Sequence, residues 1–337
     1  MSAGPENAIV HGGNLDAARR RFPDAPEPWI DLSTGINPQA YPLPDLPASC
    51  WTRLPAREDE ERLLAAAARR YGVRDPAMVV AAPGTQALIQ ALPRLVSQSR
   101  VAVLGPTYEE HRASWMRCGH EVSMIAELGA ASRFDVTILV NPDNPTGRLV
   151  PPDELRTFAA MRGPDLKLLV ADEAFADVLA KEASLVSSLP AATVVLKSFG
   201  KTYGLAGLRL GFAIAGPPLA AAIRRELGPW AVSGPAIELG RHALADDAWL
   251  AETSVRLADD QQRLDAMLAA AGFTLLGGTP LFRLAARADA DRMVRQLGGC
   301  GIHVRAFPYA PSWIRFGLPG SPAEWERLAA ALAAPAM

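Results

Sequence analysis

The chain reads as an α/β protein: a large domain with a mostly parallel sheet flanked by helices, followed by a smaller α+β C-terminal domain. Three observations predict this. Short β-branched runs ending in turn residues alternate with amphipathic stretches. That alternation is the signature of strands joined by crossover helices, which cover both faces of the sheet. Near residue 236 the pattern changes to one long helical stretch and then a strand-rich segment.

In order, residues 1–28 are polar and proline-containing and read as an N-terminal arm. Residues 29–235 form the large domain, with strands predicted at 78–82, 100–104, 136–140, 166–171, 193–196 and 210–215. Helices are predicted at 60–71, 85–96 and 151–161, the last opening on proline, whose fixed φ suits a first helical turn. Residues 236–337 form the small domain: a helix over 236–271, strands at 274–276, 281–284, 303–305 and 313–316, and helices at 288–297 and the C-terminal end.

Composition narrows the function classes. The 337 residues are 49% hydrophobic with a formal net charge of -2 and pI near 6.2, so no electrostatic footprint for nucleic acid or anionic membrane exists. The three cysteines, Cys50, Cys118 and Cys300, are odd in number and far apart, which argues for a reducing compartment and against a metal set. No basic segment with an apolar core opens the chain, and no apolar run approaches the roughly 20 residues that span a bilayer. The expectation is a cytoplasmic protein with no metal, nucleic-acid or membrane partner.

The most informative segment is 198–212. Lys201 lies three residues after Ser198 and eight before Arg209, in a loop of small residues. Only four of the 34 basic residues are lysines (Lys167, Lys181, Lys197 and Lys201). A lysine in so arginine-biased a chain points to chemistry that needs an amine, because arginine forms no imine. Ser198 and Arg209 are suited to a phosphate, Arg209 through charge-assisted contacts.

Three further segments follow predicted strands. Gly84, Thr85 and Gln86 open a helix directly after a strand, where backbone N–H groups face an anion and the glycine permits close approach. Asn141-Pro142-Asp143-Asn144-Pro145 places amides at the carboxyl edge of the sheet, with Asn144 able to bond a phenolic oxygen. Asp172, ending the run 166–171, offers a carboxylate that can keep a pyridine nitrogen protonated. No GxGxxG follows an early strand, which disfavours a nicotinamide dehydrogenase.

In this order the segments resemble the fold-type I pyridoxal-phosphate enzymes of the aspartate aminotransferase superfamily, over roughly residues 30–330. The resemblance implies that Lys201 carries the cofactor imine and Asp172 pairs with the pyridinium. It implies that Asn144 bonds the phenolic oxygen, and that Gly84, Thr85, Gln86, Ser198 and Arg209 hold the phosphate. Tyr108 matches the aromatic that stacks on the ring, and Arg315 the arginine that grips a substrate carboxylate. A homodimer is also implied. Retention of Lys201, Asp172 and Arg209 argues against a non-catalytic binding protein of this fold.

Within the superfamily the chain is similar to the histidinol-phosphate aminotransferase branch. Inside it, the chain resembles the threonine-phosphate decarboxylases of cobalamin synthesis, through His11-Gly12-Gly13-Asn14, the segment 31–38 and Phe175. That implies pyridoxal-phosphate-dependent decarboxylation of L-threonine O-3-phosphate, with a histidinol-phosphate-type aminotransferase as the alternative. His11, Gly12, Gly13 and Arg305 are the candidate donors to the phosphate of a small phosphorylated amino-acid substrate. Two departures stand out. Phe175 occupies a position where many relatives have a tyrosine that supports the phenolic oxygen. Leu54-Pro55 stands where many have Tyr-Pro reaching the neighbouring subunit's cofactor.

Overall fold

In the computed structural model, which describes residues 11–334, the elements in chain order are as follows. The first are α1 (Leu15–Arg21), β1 (Ile30–Asp31), α2 (Ser49–Thr52), α3 (Arg57–Tyr71), β2 (Val79–Ala82), α4 (Thr85–Ala91), β3 (Arg100–Leu104), α5 (Glu109–Arg117) and β4 (Glu121–Ile125). Then come β5 (Val136–Val140), α6 (Pro152–Arg162), β6 (Leu168–Asp172), β7 (Thr193–Ser198), α7 (Phe199–Thr202), β8 (Gly211–Ala215), α8 (Pro217–Leu227) and α9 (Gly234–Ala245). The chain ends with α10 (Asp247–Ala270), β9 (Thr274–Thr279), β10 (Phe282–Ala286), α11 (Ala290–Gly299), β11 (Ile302–His303), β12 (Arg305–Ala306), β13 (Trp313–Gly317) and α12 (Pro322–Ala333).

The large sheet has seven strands in the order β2-β8-β7-β6-β5-β3-β4. β8 pairs antiparallel with both neighbours, and the other pairings are parallel. Its central strands β5, β6 and β7 are buried at every position and mostly apolar, because both faces are covered. Leu169, Ala171 and Val195 pack on one face with Phe199, Tyr203 and Phe212. Leu168, Val170, Val194 and Leu196 pack on the other with Leu88 and Trp115. The second unit is a four-stranded antiparallel sheet, β12-β13-β10-β9, whose core includes residues of α10, α11 and α12.

The packing departs from the sequence division in three places. The helix expected over 236–271 is two helices, broken where the Asp246 side chain accepts from Trp249 N at 3.0 Å and caps α10. Ala236, Ile237, Ala243 and Leu244 of α9, assigned to the small domain, pack in the core on the large sheet. Ile30 and Leu32, assigned to the large domain, sit in the small-domain core, and β1 pairs with β11. The helix expected over 85–96 tightens to a 3-10 turn, Leu92–Leu95, at Pro93, which has no N–H for the α-helical ladder.

Candidate active site

Parallel β2, β3, β5, β6 and β7 share one carboxyl edge. Because β8 runs the other way, the residues that enter it stand at the same edge. Strand ends therefore deliver Gly84, Tyr108, Asn144, Asp172 and Ser198 together, with Lys201 one turn beyond Ser198 and Arg209 just before β8. All of these, with Thr85, Gln86 and Phe175, line one cavity of about 160 Å³. This is the crevice at the carboxyl ends of strands where open α/β sheets bind ligands.

At the floor Asp172 is 3% exposed. His111 Nε2 lies 2.9 Å from its Oδ2, and Ala174 N donates to its Oδ1 at 3.1 Å. His111 was not singled out from the sequence. It lies three residues after Tyr108, the N-cap of α5, so recognising that helix would have placed both residues toward the sheet.

Lys201 opens from α7, with Nζ 5.5 Å from the centre of the Phe175 ring. Burial, then the charges of Arg315 and Arg209, lower its pKa to about 8, against the opposing pull of Asp172 and Asp31. An amine with that value is neutral in about a tenth of molecules at pH 7, far more than an ordinary lysine, and imine formation requires that neutral form.

At the opposite end Gly84 has φ +80°, and a Cβ there would lie 2.8 Å from Arg209 Nη2. The guanidinium thus closes over the N-terminus of α4, and Arg209 Nη1 donates to Ala206 O at 3.1 Å. Thr85 and Ser198 complete a cationic, donor-rich end. The side chain of Gln86 is engaged elsewhere. Its side chain donates to Glu110 Oε2 at 2.9 Å and accepts from Tyr108 Oη at 3.2 Å, so only its backbone is available to an anion. Gln86 therefore holds the Tyr108 ring. Burial raises the Tyr108 hydroxyl to about 12, so it stays a donor.

A smaller cavity of about 70 Å³ adjoins the first through Tyr108 and Asn144, and His11, Gly12, Arg305, Tyr309 and Arg315 line it. Arg305 and Arg315 are directly opposed on β12 and β13. Arg315 donates to Asn144 Oδ1, and to Ser33 O at 2.6 Å. Its Nε is buried with no hydrogen-bond partner among the described residues. Burial and then the charge of Arg305 lower Arg315 to about 10, and burial lowers Arg305 as well. Two opposed cations raise each other's cost, and an anion bound between them relieves it. His11 is exposed and meets Glu110 Oε1 at 3.0 Å. Gly13 does not line this cavity, and its N–H donates to Ser33 Oγ at 2.7 Å. Among the described residues no cluster of three or more metal-ligating side chains is placed to hold an ion.

A buried lysine of lowered pKa, a strand-end carboxylate and an arginine-capped anion end define a carbonyl-cofactor enzyme. The particular family follows from comparison: residues 51–332 match the family model for aminotransferase class I and II, and the chain belongs to this family of fold-type I pyridoxal-phosphate enzymes. It is 41% identical over 332 residues to a threonine-phosphate decarboxylase from a Sinorhizobium species, covering 96% of this chain and 98% of that protein. The corresponding protein of Pseudomonas aeruginosa is 40% identical over 330 residues, with 96% and 97% covered. The fold is that of histidinol-phosphate aminotransferase from Sinorhizobium meliloti, with a TM-score of 0.81 at 23% identity and 98% and 96% coverage. It is also that of L-threonine-O-3-phosphate decarboxylase from Porphyromonas gingivalis, with a TM-score of 0.75 at 22% identity and 90% and 98% coverage.

The residues present fit pyridoxal 5'-phosphate, the cofactor of this family. The absence of a side chain at Gly84 lets the Arg209 guanidinium lie over the first turn of α4, where a Cβ would stand 2.8 Å from Nη2. The donor set also has the required chemistry: amine, carboxylate, amide and a cationic anion end in one cavity.

Proposed function

We propose that the protein decarboxylates L-threonine O-3-phosphate to 1-aminopropan-2-ol phosphate, a step of cobalamin synthesis. The observation that carries this reading is the pair of opposed cations, Arg305 and Arg315, in a small cavity joined to the cofactor cavity at Tyr108 and Asn144. A substrate with two anionic ends matches two cations. Near-full-length kinship with threonine-phosphate decarboxylases supports the same substrate.

Pyridoxal phosphate, when bound, supplies a sink for the electron pair released at the substrate Cα. Lys201 would hold its aldehyde, Asp172 its ring nitrogen, Asn144 its phenolic oxygen, and Gly84, Thr85, Ser198 and Arg209 its phosphate. His111 and the Ala174 amide fix the Asp172 carboxylate in one orientation. Arg315 grips the substrate carboxylate, and Arg305 with His11 and the Gly12 backbone takes the phosphate. The bond from Cα to the carboxylate breaks, its electron pair stays on the Cα side, and Lys201 Nζ returns a proton to Cα. Arg315 already holds Asn144, so carboxylate binding and the cofactor end of the site are mechanically joined.

The active form in this reading is a homodimer in the cytoplasm. Leu43, Trp51, Leu54 and Trp230 are 71%, 69%, 67% and 59% exposed. The segments bearing Trp51 and Trp230 meet where Gly234 packs against the Cys50 carbonyl. Exposed tryptophans on two segments that meet there suit a second copy of the chain.

The test is to mix the purified protein with threonine phosphate and, separately, with histidinol phosphate. Release of CO2 from the first supports the proposal. Conversion of the cofactor to its amine form by the second, with no CO2 from the first, would overturn it in favour of transamination.

A further inference from the structure

Lys197 shares the scarcity that drew attention to Lys201, yet the mechanism above does not use it. It is 3% exposed and belongs to β7, one residue before Ser198. Strand alternation sends it away from the cofactor: Leu196 packs on the Trp115 face, whereas Val195 packs on the face of Phe199 and Tyr203.

On that far face Lys197 Nζ lies 2.8 Å from Glu173 Oε2, 3.3 Å from Asp177 Oδ1 and 5.4 Å from the centre of the Tyr71 ring. Ser184 Oγ and Leu185 N donate to the two oxygens of Glu173 at 2.5 and 2.7 Å. Tyr71 Oη donates to Asp177 Oδ2 at 3.3 Å. The cluster is fully hydrogen-bonded, the condition under which buried charge survives. Burial alone would lower the Lys197 amine, but Glu173 and Asp177 outweigh it and hold it above its ordinary value. Two lysines four residues apart, one on β7 and one on α7, are thus sorted: one held above its ordinary value, the other lowered to about 8.

We propose that Lys197, Glu173 and Asp177 form a clamp beneath the sheet that sets the separation of Asp172 and Lys201, making Lys197 a positioning residue. The covalent neighbours carry the argument. Glu173 directly follows Asp172, and Lys197 stands four residues before Lys201, so the ion pair ties the two strand ends that bear the reacting groups. The Glu173 N–H also donates to Leu196 O at 2.9 Å, which pins the same two strands through the backbone. Stability alone is a weak reason for such a cluster, since well-packed apolar groups serve a core at least as well. Its use lies in geometry: a compact ammonium meets Glu173 and Asp177 together, which ties the two strand ends at a fixed distance.

The proposal rests on the cofactor-site reading and not on the identity of the substrate. The experiment compares Glu173→Gln and Lys197→Met with the unaltered protein. It measures melting temperature without cofactor, affinity for pyridoxal phosphate, the pH midpoint of the bound cofactor's visible absorbance, and kcat and KM. The clamp predicts that Glu173→Gln folds, binds the cofactor about tenfold more weakly, moves the absorbance midpoint and lowers kcat more than KM rises. Should Lys197→Met not accumulate in folded form, Glu173→Gln decides alone, because it keeps the shape and removes one charge. Variants that differ in melting temperature only, with affinity, midpoint and kcat unchanged, would overturn the proposal. An unaltered protein that acquires no visible absorbance with pyridoxal phosphate would instead overturn the cofactor site itself, and the clamp with it.

Discussion

His111 Nε2 and Asp172 Oδ2 stand 2.9 Å apart, and both side chains are almost fully buried. The histidine thus orients the carboxylate at the end of β6 while Ala174 N holds its second oxygen. Replacing His111 with Ala should lower kcat about 10- to 100-fold, the usual cost of losing an orienting partner. Asp172→Asn, which removes the charge itself, should cost about 100- to 1000-fold. Steady-state kinetics checks both, and a change confined to KM would contradict the assignment.

The Lys201 amine has a sign-definite effect on stability. Its folded value of about 8 lies below the ordinary 10.5, so protonation favours the unfolded chain. The penalty is full below pH 8 and fades as pH rises toward 10.5. Lys201→Met in the cofactor-free protein should therefore gain about 1–3 kcal/mol at pH 7, with the gain shrinking near pH 10. Denaturant titrations at the two pH values measure it.

Attachment of the cofactor requires the neutral amine. Its rate should rise with pH and level off above about 8. Arg315 is the largest charge holding the amine down, so Arg315→Gln should move that midpoint upward. The same variant should lose about 10- to 100-fold in kcat/KM through missing charge-assisted hydrogen bonds. Stopped-flow absorbance and substrate kinetics report the two effects separately.

Gly84→Ala introduces a Cβ 2.8 Å from Arg209 Nη2 at φ +80°. At φ 80° and ψ 161° the backbone lies in a region open essentially to glycine, so a side chain there costs about 1–3 kcal/mol, and the displaced guanidinium weakens the anion end. Affinity for pyridoxal phosphate should fall about tenfold or more, as equilibrium dialysis would show.

Several features were not legible in the chain. β4 escaped notice because an edge strand has no continuous apolar run: Glu121 and Met124 are exposed, and only its pairing with β3 defines it. The break at Asp246 was hidden because Ala, Leu and Asp on both sides suit a helix, and the cap shows only once Asp246 is seen bonding Trp249 N. The place of Gln86 after Gly84 pointed to its backbone N–H, and gave no sign that Glu110 and Tyr108, more than 20 residues away in sequence, hold its side chain.

The sequence by itself determined the sheet of short apolar strands and the residues at their ends, from Gly84 to Arg209. Local periodicity and turn chemistry act over a few residues and are readable within that span. Only the tertiary structure decided that β8 runs antiparallel, which brings Arg209 to the edge where Lys201 emerges, and that Arg315 reaches Asn144 from another sheet. It also decided which of two neighbouring lysines stays charged. That outcome depends on burial and on carboxylates contributed by a neighbouring strand end, and residue spacing along a chain carries no record of either.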